Sequence, residues 1–167
     1  MSAQARLDRE WKRIAKDPID NVTFEIKNES NILIWNFTIL GPSESPYEGG
    51  VYEGIITFPS TYPHDPPVVK FTTKIFHPNV YSGGGDVSVH KPGDLCISIL
   101  HKGTDEMSGE HELERWRPIQ TVESIFKSII SLLNDPNPDS AANVDAAKLW
   151  RDNKENYFKK VRDDMDA

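Results

Sequence analysis

The sequence predicts one α+β domain over residues 1–167: an N-terminal helix, a four-stranded antiparallel meander sheet, a long irregular loop, then C-terminal helices. Three observations predict it. The hydrophobic period is helical near the start, switches to two around Trp35, and returns to helical from Thr121 onward. Short, turn-rich links join the strand candidates, which favours antiparallel neighbours over a parallel sheet. The chain has 167 residues, 37% apolar and 27% charged, which suits a single compact domain with a buried core.

Ala3 to Lys16 reads as an amphipathic helix. Leu7, Trp11, Ile14 and Ala15 recur on one face, Ser2 stands where an N-cap is wanted, and Asp17-Pro18 ends the run. The opposite face carries Arg6, Arg9, Lys12, Arg13 and Lys16. Strands are predicted at Val22 to Lys27, Ile32 to Leu40, Tyr52 to Phe58 and Val68 to Phe71, separated by Asn28 to Asn31, Gly41 to Gly50 and a proline-rich run. The second is the clearest, with Leu33, Trp35, Phe37 and Ile39 alternating with Ile34, Asn36 and Thr38. His77 to Pro118 is irregular, and loops of that length in a compact domain are more often functional than accidental. Thr121 to Leu133 is a helix with Thr121 as N-cap and Val122, Ile125, Phe126, Ile129, Ile130 and Leu133 as a core-facing stripe. Asn143 or Val144 to Arg151 and Lys154 to Met165 are read as closing helices, the last weakly amphipathic through Phe158, Val161 and Met165.

A net charge of −7 argues against nonspecific nucleic-acid binding, which needs a clustered basic surface. No apolar run is long enough to span a bilayer, and the N-terminus is charged rather than signal-like, so the expected location is cytoplasmic or nuclear. Contact with membrane, including recruitment to the cytosolic face of the endoplasmic reticulum, is expected only through a partner. One cysteine makes no internal disulfide, in keeping with a reducing compartment. The five histidines and the cysteine do not fall at zinc-ligand spacings, and no metal is expected.

That cysteine, Cys96, lies in Gly93-Asp94-Leu95-Cys96-Ile97-Ser98-Ile99-Leu100, downstream of His77-Pro78-Asn79. A thiolate is the nucleophile able to hold an acyl group as a thioester at neutral pH. Most lone cysteines are small buried hydrophobes, so the flanking text has to decide. It supplies Phe58-Pro59-Ser60-Thr61-Tyr62-Pro63-His64-Asp65-Pro66-Pro67 ahead of the His-Pro-Asn tripeptide, then Trp116-Arg117-Pro118 and Asp135-Pro136-Asn137-Pro138 after Cys96. In this order, from Leu7 to about Lys160, the blocks resemble the ubiquitin-conjugating enzymes. Within that family Cys96 to His101, the acidic segment before Trp116, and Ala142-Asn143-Val144-Asp145-Ala146 are most similar to the G-type enzymes, the Ubc7 group.

The resemblance implies the ubiquitin-conjugating fold and a two-step acyl transfer. Ubiquitin's C-terminal carboxyl passes from an activating enzyme to Cys96, then, with a RING-type ligase, to lysine amines of protein substrates, marking them for proteasomal degradation. No cofactor is implied, since ATP is consumed by the upstream activating enzyme. Asn79 is the candidate oxyanion partner, a neutral amide donor, and equally a candidate turn organiser through side-chain to backbone bonds. His77, with Pro78, is read as a turn-stabilising element, because the chemistry does not need an imidazole there. No motif places any of the five histidines to activate Cys96.

The positions matching the family's acceptor-lysine gate are Ser98 and Ser140, with Asp139 beside the latter. Many relatives carry aspartate where this chain has serine, and serine can orient an amine but supplies no charge. Asp105, Glu106, Glu110, Glu112 and Glu114 form an acidic loop that either restores that charge or is simply a solvated segment. Tyr81 to Pro92, with three consecutive glycines, is longer than the turn usual between Asn79 and Cys96, and either covers the thioester or loops outward. By position, Arg6 and Arg9 resemble the surface that meets activating enzyme and ligase, and Pro63, His64, Arg117, Pro118 and Ile119 further ligase contacts. At His64 a large apolar residue is more usual, which weakens a hydrophobic anchor. A conjugating enzyme for another ubiquitin-like modifier, and a noncatalytic binding module of the same fold, are the alternatives; the acidic segment argues against the first, and retention of Cys96 and Asn79 against the second.

Overall fold

The structure is a computed structural model that describes residues 2–82, 91–103 and 114–166, with Ser140 described through its backbone. Helix α1 (Ala3–Lys16) leads into strands β1 (Val22–Glu25), β2 (Ile34–Leu40), β3 (Val51–Thr57) and β4 (Val68–Phe71). Beyond the sheet come a single 3-10 turn (Ser98–Leu100), helix α2 (Val122–Asn134), a second 3-10 turn (Pro138–Ser140), and helices α3 (Val144–Asp152) and α4 (Lys154–Asp166). The sheet is a four-stranded antiparallel meander in the order β1-β2-β3-β4, as its short links require. Among the described residues no helix is long and apolar enough to cross a membrane.

Alternation decides which sheet face is inner. Trp35, Phe37 and Ile39 of β2 are buried, as are Tyr52 and Ile56 of β3 and Val69 and Phe71 of β4. Helix α2 lies on this face because Phe126 meets Phe24 and Phe37 edge-on, with ring centroids 4.8 and 5.0 Å apart. Such pairs add about 0.5–1.5 kcal/mol each beyond area burial. Its start is fixed by Thr121, which exchanges hydrogen bonds with Ser124 in a capping box.

Several predicted details differ. Strand β2 begins at Ile34 rather than Ile32, because the Asn31 side chain accepts the Leu33 N–H and the Trp35 indole donates to the Ile32 carbonyl, curling 31–33 into a turn. β1 therefore loses its partner after Glu25, where its last pairing is with Asn36. On α1, Ala15 is exposed, since it lies a full residue's rotation beyond the buried line of Ala3, Leu7 and Glu10. Arg6 does not join the open basic face; it turns inward to Glu10. On α4 the buried residues are Tyr157 and Val161, while Phe158 is 43% exposed. Tyr157 wins the inner position because its ring meets Trp150 and Phe76, and its hydroxyl pairs with that of Tyr47.

Candidate active site

The segment carrying Cys96 is laid against the end of the sheet by backbone bonds. Leu95 N–H donates to the Val69 carbonyl at 3.0 Å, Phe71 N–H to Gly93 at 2.8 Å, and Cys96 N–H to Asn79 at 2.9 Å. Gly93 has φ +93° and its Cα faces the Phe71 carbonyl so closely that a Cβ would fall 2.1 Å from that oxygen. Only glycine allows that approach. Cys96 is thus pinned on its backbone beside the His-Pro-Asn turn, while its thiol is half-buried and free.

The turn itself is locked from within. His77 is 2% exposed; its Nε2 donates to the Leu132 carbonyl at 2.8 Å on α2, and its Nδ1 accepts the Asn79 N–H at 3.0 Å. That pairing fixes one neutral tautomer. Burial drives the His77 pKa down to about 4, with the Leu132 bond opposing only part of the shift. The Pro78 carbonyl accepts from both Ala142 and Asn143, at 2.8 and 2.9 Å, tying the turn to the start of α3. The Asn79 side chain is also inside, 2% exposed, donating to the Asn137 carbonyl at 3.2 Å and accepting from the Asn137 N–H at 3.4 Å. It mimics one rung of a β-ladder, the organising role that its residue type permits.

On the other side of the thiol is a residue that the sequence did not point to. His101 Nε2 lies 3.4 Å from Cys96 Sγ, a contact that no sequence motif marks. The 3-10 turn Ser98–Leu100 reverses the chain and brings residue 101 back to residue 96. A histidine five places from a cysteine across one short turn is the only signal that could have found it. The His101 carbonyl accepts the Trp116 N–H at 2.8 Å, so the same residue anchors the far end of the acidic segment. Tyr81 is near enough to feel the thiol: its hydroxyl pKa is raised by burial first and by charge on Cys96 second.

The remaining predicted residues fall into two groups. Ser98 and Glu114 line one groove of about 530 Å³ against Ser124, Ser128 and Lys127 of α2, so one of the expected gate positions and the last acid of the segment share one surface. Asp105, Glu106, Glu110 and Glu112 lie outside the described residues, as does the centre of the Tyr81 to Pro92 segment. Asp139 is exposed in the second 3-10 turn, its N–H held by Asn137 Oδ1 at 3.2 Å. Of the residues expected to face partners, Arg6, Pro63 and Arg117 are tied into one region at the other end. The Trp116 indole donates to the Pro63 carbonyl at 2.9 Å, Gln120 N–H to Arg117 at 2.9 Å, and Arg6 to the Gln120 carbonyl at 2.9 Å. His64 and Pro118 are exposed and Ile119 is 72% exposed; Arg9 points to solvent from α1.

Glu10 holds this end together and was missed. Only 5% exposed, it accepts from Arg6 Nε at 3.0 Å, the Tyr62 hydroxyl at 2.5 Å and the Val122 N–H at the start of α2 at 2.7 Å. Burial, then the Glu10 charge, pushes the Tyr62 hydroxyl pKa far above its ordinary value. A carboxylate at a helix N-terminus with three donors is well compensated. Its place three residues after Leu7 and four before Ile14, on the inner line of α1, is the signal that could have found it. Among the described residues, no three His, Cys, Asp or Glu side chains gather as metal ligands.

A helix, a four-stranded meander and a crossing helix that present one free thiol beside a locked His-Pro-Asn turn define the ubiquitin-conjugating class. Residues 6–165 match the family described as ubiquitin-conjugating enzyme, and the chain belongs to that family. It is 47% identical to ubiquitin-conjugating enzyme E2 7 of Arabidopsis thaliana over 164 residues, which is 96% of this chain and 93% of the relative. It is 43% identical to ubiquitin-conjugating enzyme E2-18 kDa of Schizosaccharomyces pombe (96% and 92% covered), and 42% to ubiquitin-conjugating enzyme E2 G2 of Homo sapiens (95% and 91%). Within the family, this chain is an enzyme of the G-type, Ubc7-like subgroup.

Proposed function

We propose that Cys96 receives ubiquitin's C-terminal carboxyl from an activating enzyme as a thioester and, with a RING-type ligase, delivers it to substrate lysines, leading to degradation of the substrate. The observation that carries this reading is the half-buried free thiol, fixed on its backbone to Asn79 and flanked by Tyr81 and His101. In the second step the amine nitrogen attacks the thioester carbonyl, the tetrahedral oxyanion collapses, the C–S bond breaks, and Cys96 leaves as thiolate. Asn79 supplies a neutral amide donor to the oxyanion. Ser98, Ser140 and Asp139 orient the incoming amine, and Asp105, Glu106, Glu110, Glu112 and Glu114 attract it.

Activating enzyme and ligase meet Arg6, Arg9, Pro63, His64, Arg117, Pro118 and Ile119; the hydrogen bonds that join Arg6, Gln120 and Arg117, and Trp116 and Pro63, support treating these as one surface. No cofactor is needed for thioester exchange. A reducing compartment, cytosol or nucleus, preserves the free thiol, with a partner recruiting the enzyme to the cytosolic face of the endoplasmic reticulum. Incubation with ubiquitin, activating enzyme and ATP is expected to give an adduct that reducing agent removes. Cys96→Ser is expected to convert it to a thiol-resistant oxyester. A reducible adduct on that variant, or charging by a different ubiquitin-like modifier in preference to ubiquitin, overturns the reading.

A further inference from the structure

On the reaction proposed above, the sulfur of Cys96 passes through three states: thiol, thiolate and thioester. Only the thiol has a hydrogen to give. The 3.4 Å contact between Sγ and His101 Nε2 therefore works with either atom as donor while the thiol is intact, but with nitrogen alone as donor once the sulfur is ionised or acylated.

The backbone imposes this contact. Cys96 N–H is held by the Asn79 carbonyl at 2.9 Å. Across the 3-10 turn, His101 N–H donates to the Ser98 carbonyl at 2.9 Å and the His101 carbonyl accepts the Trp116 N–H at 2.8 Å. The residues that follow are tied down as well: Lys102 pairs with Asp65, and Arg115 Nη1 donates to the Gly103 carbonyl at 2.9 Å. Thiol and imidazole are thus brought together by main-chain bonds on both sides, with both side chains half-buried. Little further freedom is lost in keeping them there.

A role at this atom follows from how its charge changes. Thioester sulfur is a weak acceptor and thiolate a strong one, so an N–H aimed at Sγ gains strength as the C–S bond breaks. An interaction that is stronger in the transition state than in the ground state speeds the step.

We propose that His101 is a catalytic residue of the discharge step, donating a hydrogen bond from Nε2 to the sulfur as it leaves. The proposal rests on the conjugating activity proposed above and deepens it: Asn79 serves the oxyanion, His101 the leaving atom. The amine nitrogen bonds to the carbonyl carbon, the C–S electron pair moves onto Sγ, and the surplus proton of the amine passes to solvent. Nε2 keeps its own hydrogen, so the imidazole need not titrate. In charging, the same bond favours the thiolate but makes it a poorer nucleophile, and the two effects partly offset.

The test is single-turnover discharge of ubiquitin-charged enzyme to free lysine over a range of lysine concentrations. Wild type is compared with His101→Phe, which keeps a flat ring without an N–H, and His101→Gln, whose amide N–H reaches about as far as Nε2. His101→Phe is expected to lower the discharge rate constant by about 3- to 10-fold, the gap between a hydrogen bond to a neutral and to a charged acceptor. The lysine concentration at half-maximal rate is expected to stay where it is, and charging to lose less than discharge. His101→Gln is expected to recover most of the loss. If the ring only packed, Phe would preserve the rate and Gln would not.

A second measurement does not depend on turnover. Two-bond proton–nitrogen couplings in the NMR spectrum of uncharged wild-type enzyme are expected to place a hydrogen on His101 Nε2. A bare Nε2, wild-type discharge by His101→Phe, or a loss that His101→Gln does not recover overturns the proposal. Failure of wild-type enzyme to charge at all would instead overturn the conjugating reading itself.

Discussion

On the His77–Asn79 flank of Cys96, polar atoms are buried and paired: His77 bonds both Leu132 and Asn79, Pro78 receives two N–H groups, and Asn79 clasps the Asn137 backbone from both sides. Among the described residues of the Ser98–Trp116 flank, one imidazole lies 3.4 Å from the thiol, and Ser98 and Glu114 line a groove. The first flank resembles a core in miniature. The second resembles a surface. On the proposed reaction the difference is what two successive acyl transfers demand, since the oxyanion forms at one place in both steps while donor, acceptor and ligase must come and go.

The sharpest way to break this comparison is Asn79→Ala. It is expected to leave charging of Cys96 largely intact and to slow discharge to lysine by about 10- to 1,000-fold, the scale of one lost oxyanion donor. Because the side chain also holds Asn137, unfolding stability is expected to fall by about 1–3 kcal/mol. Paired measurements of both half-reactions and of the melting temperature separate the roles. Equal loss in charging and discharge would make this flank a frame and nothing more.

The second prediction uses proton linkage. The His77 pKa falls from an ordinary 6.5 to about 4 in the folded chain because the imidazole is buried neutral. Folding therefore favours the deprotonated form, and that stability is complete above pH 6.5 and lost as pH drops toward 4. The lost amount is about 3 kcal/mol at most. Urea midpoints across pH 7 to 4, with the His77 ring followed by NMR, check it. An imidazole that titrates near its ordinary value in the folded state would show that the turn is looser than its hydrogen bonds.

On the open flank effects are smaller. His101→Ala is expected to leave the urea midpoint unchanged and to slow alkylation of Cys96 by iodoacetamide by about 2- to 5-fold, the worth of one weak hydrogen bond to sulfur. A variant that alkylates at the wild-type rate would reduce the 3.4 Å approach to simple packing.

The same contrast explains what the sequence made legible. Helix α1 agrees with its predicted bounds, as does β4, because periodicity and capping are local properties of adjacent residues. The His77–Asn79 turn was legible as a motif because its hydrogen bonds are short-range in part: Asn79 N–H finds His77 two residues back. The contacts of His101, Glu10 and Tyr157 were not. Each owes its place to a partner distant in sequence or to a return of the chain: Trp116 for the His101 backbone, Val122 and Tyr62 for Glu10, Tyr47 and Phe76 for Tyr157. A one-residue rotation separates Tyr157 from Phe158, and nothing local selects between two aromatic neighbours on a short helix.

The smallest expected effect belongs to the acidic loop, and it turns on how charge acts from outside the contact shell. Neutralising Asp105, Glu106, Glu110, Glu112 and Glu114 together is expected to preserve folding and charging, because a segment this rich in acids reads from its sequence as solvated, and solvated charges contribute little to stability. Ser98 is uncharged, and Glu114 lines the same groove, so on the proposed reaction a carboxylate is available beside the incoming amine without a bond to it. An ammonium drawn toward that field arrives more often, and discharge to lysine or chain formation is expected to fall in the variant by about 2- to 5-fold at low salt, as for a weak, solvent-screened attraction. The advantage of the wild type is expected to shrink as the Debye length drops below about 8 Å. Discharge to free lysine and to ubiquitin at several ionic strengths tests it. Rates that coincide at low salt would leave the loop merely solvated, and the open flank would then depend on Ser98, Ser140 and Asp139 alone to orient its amine.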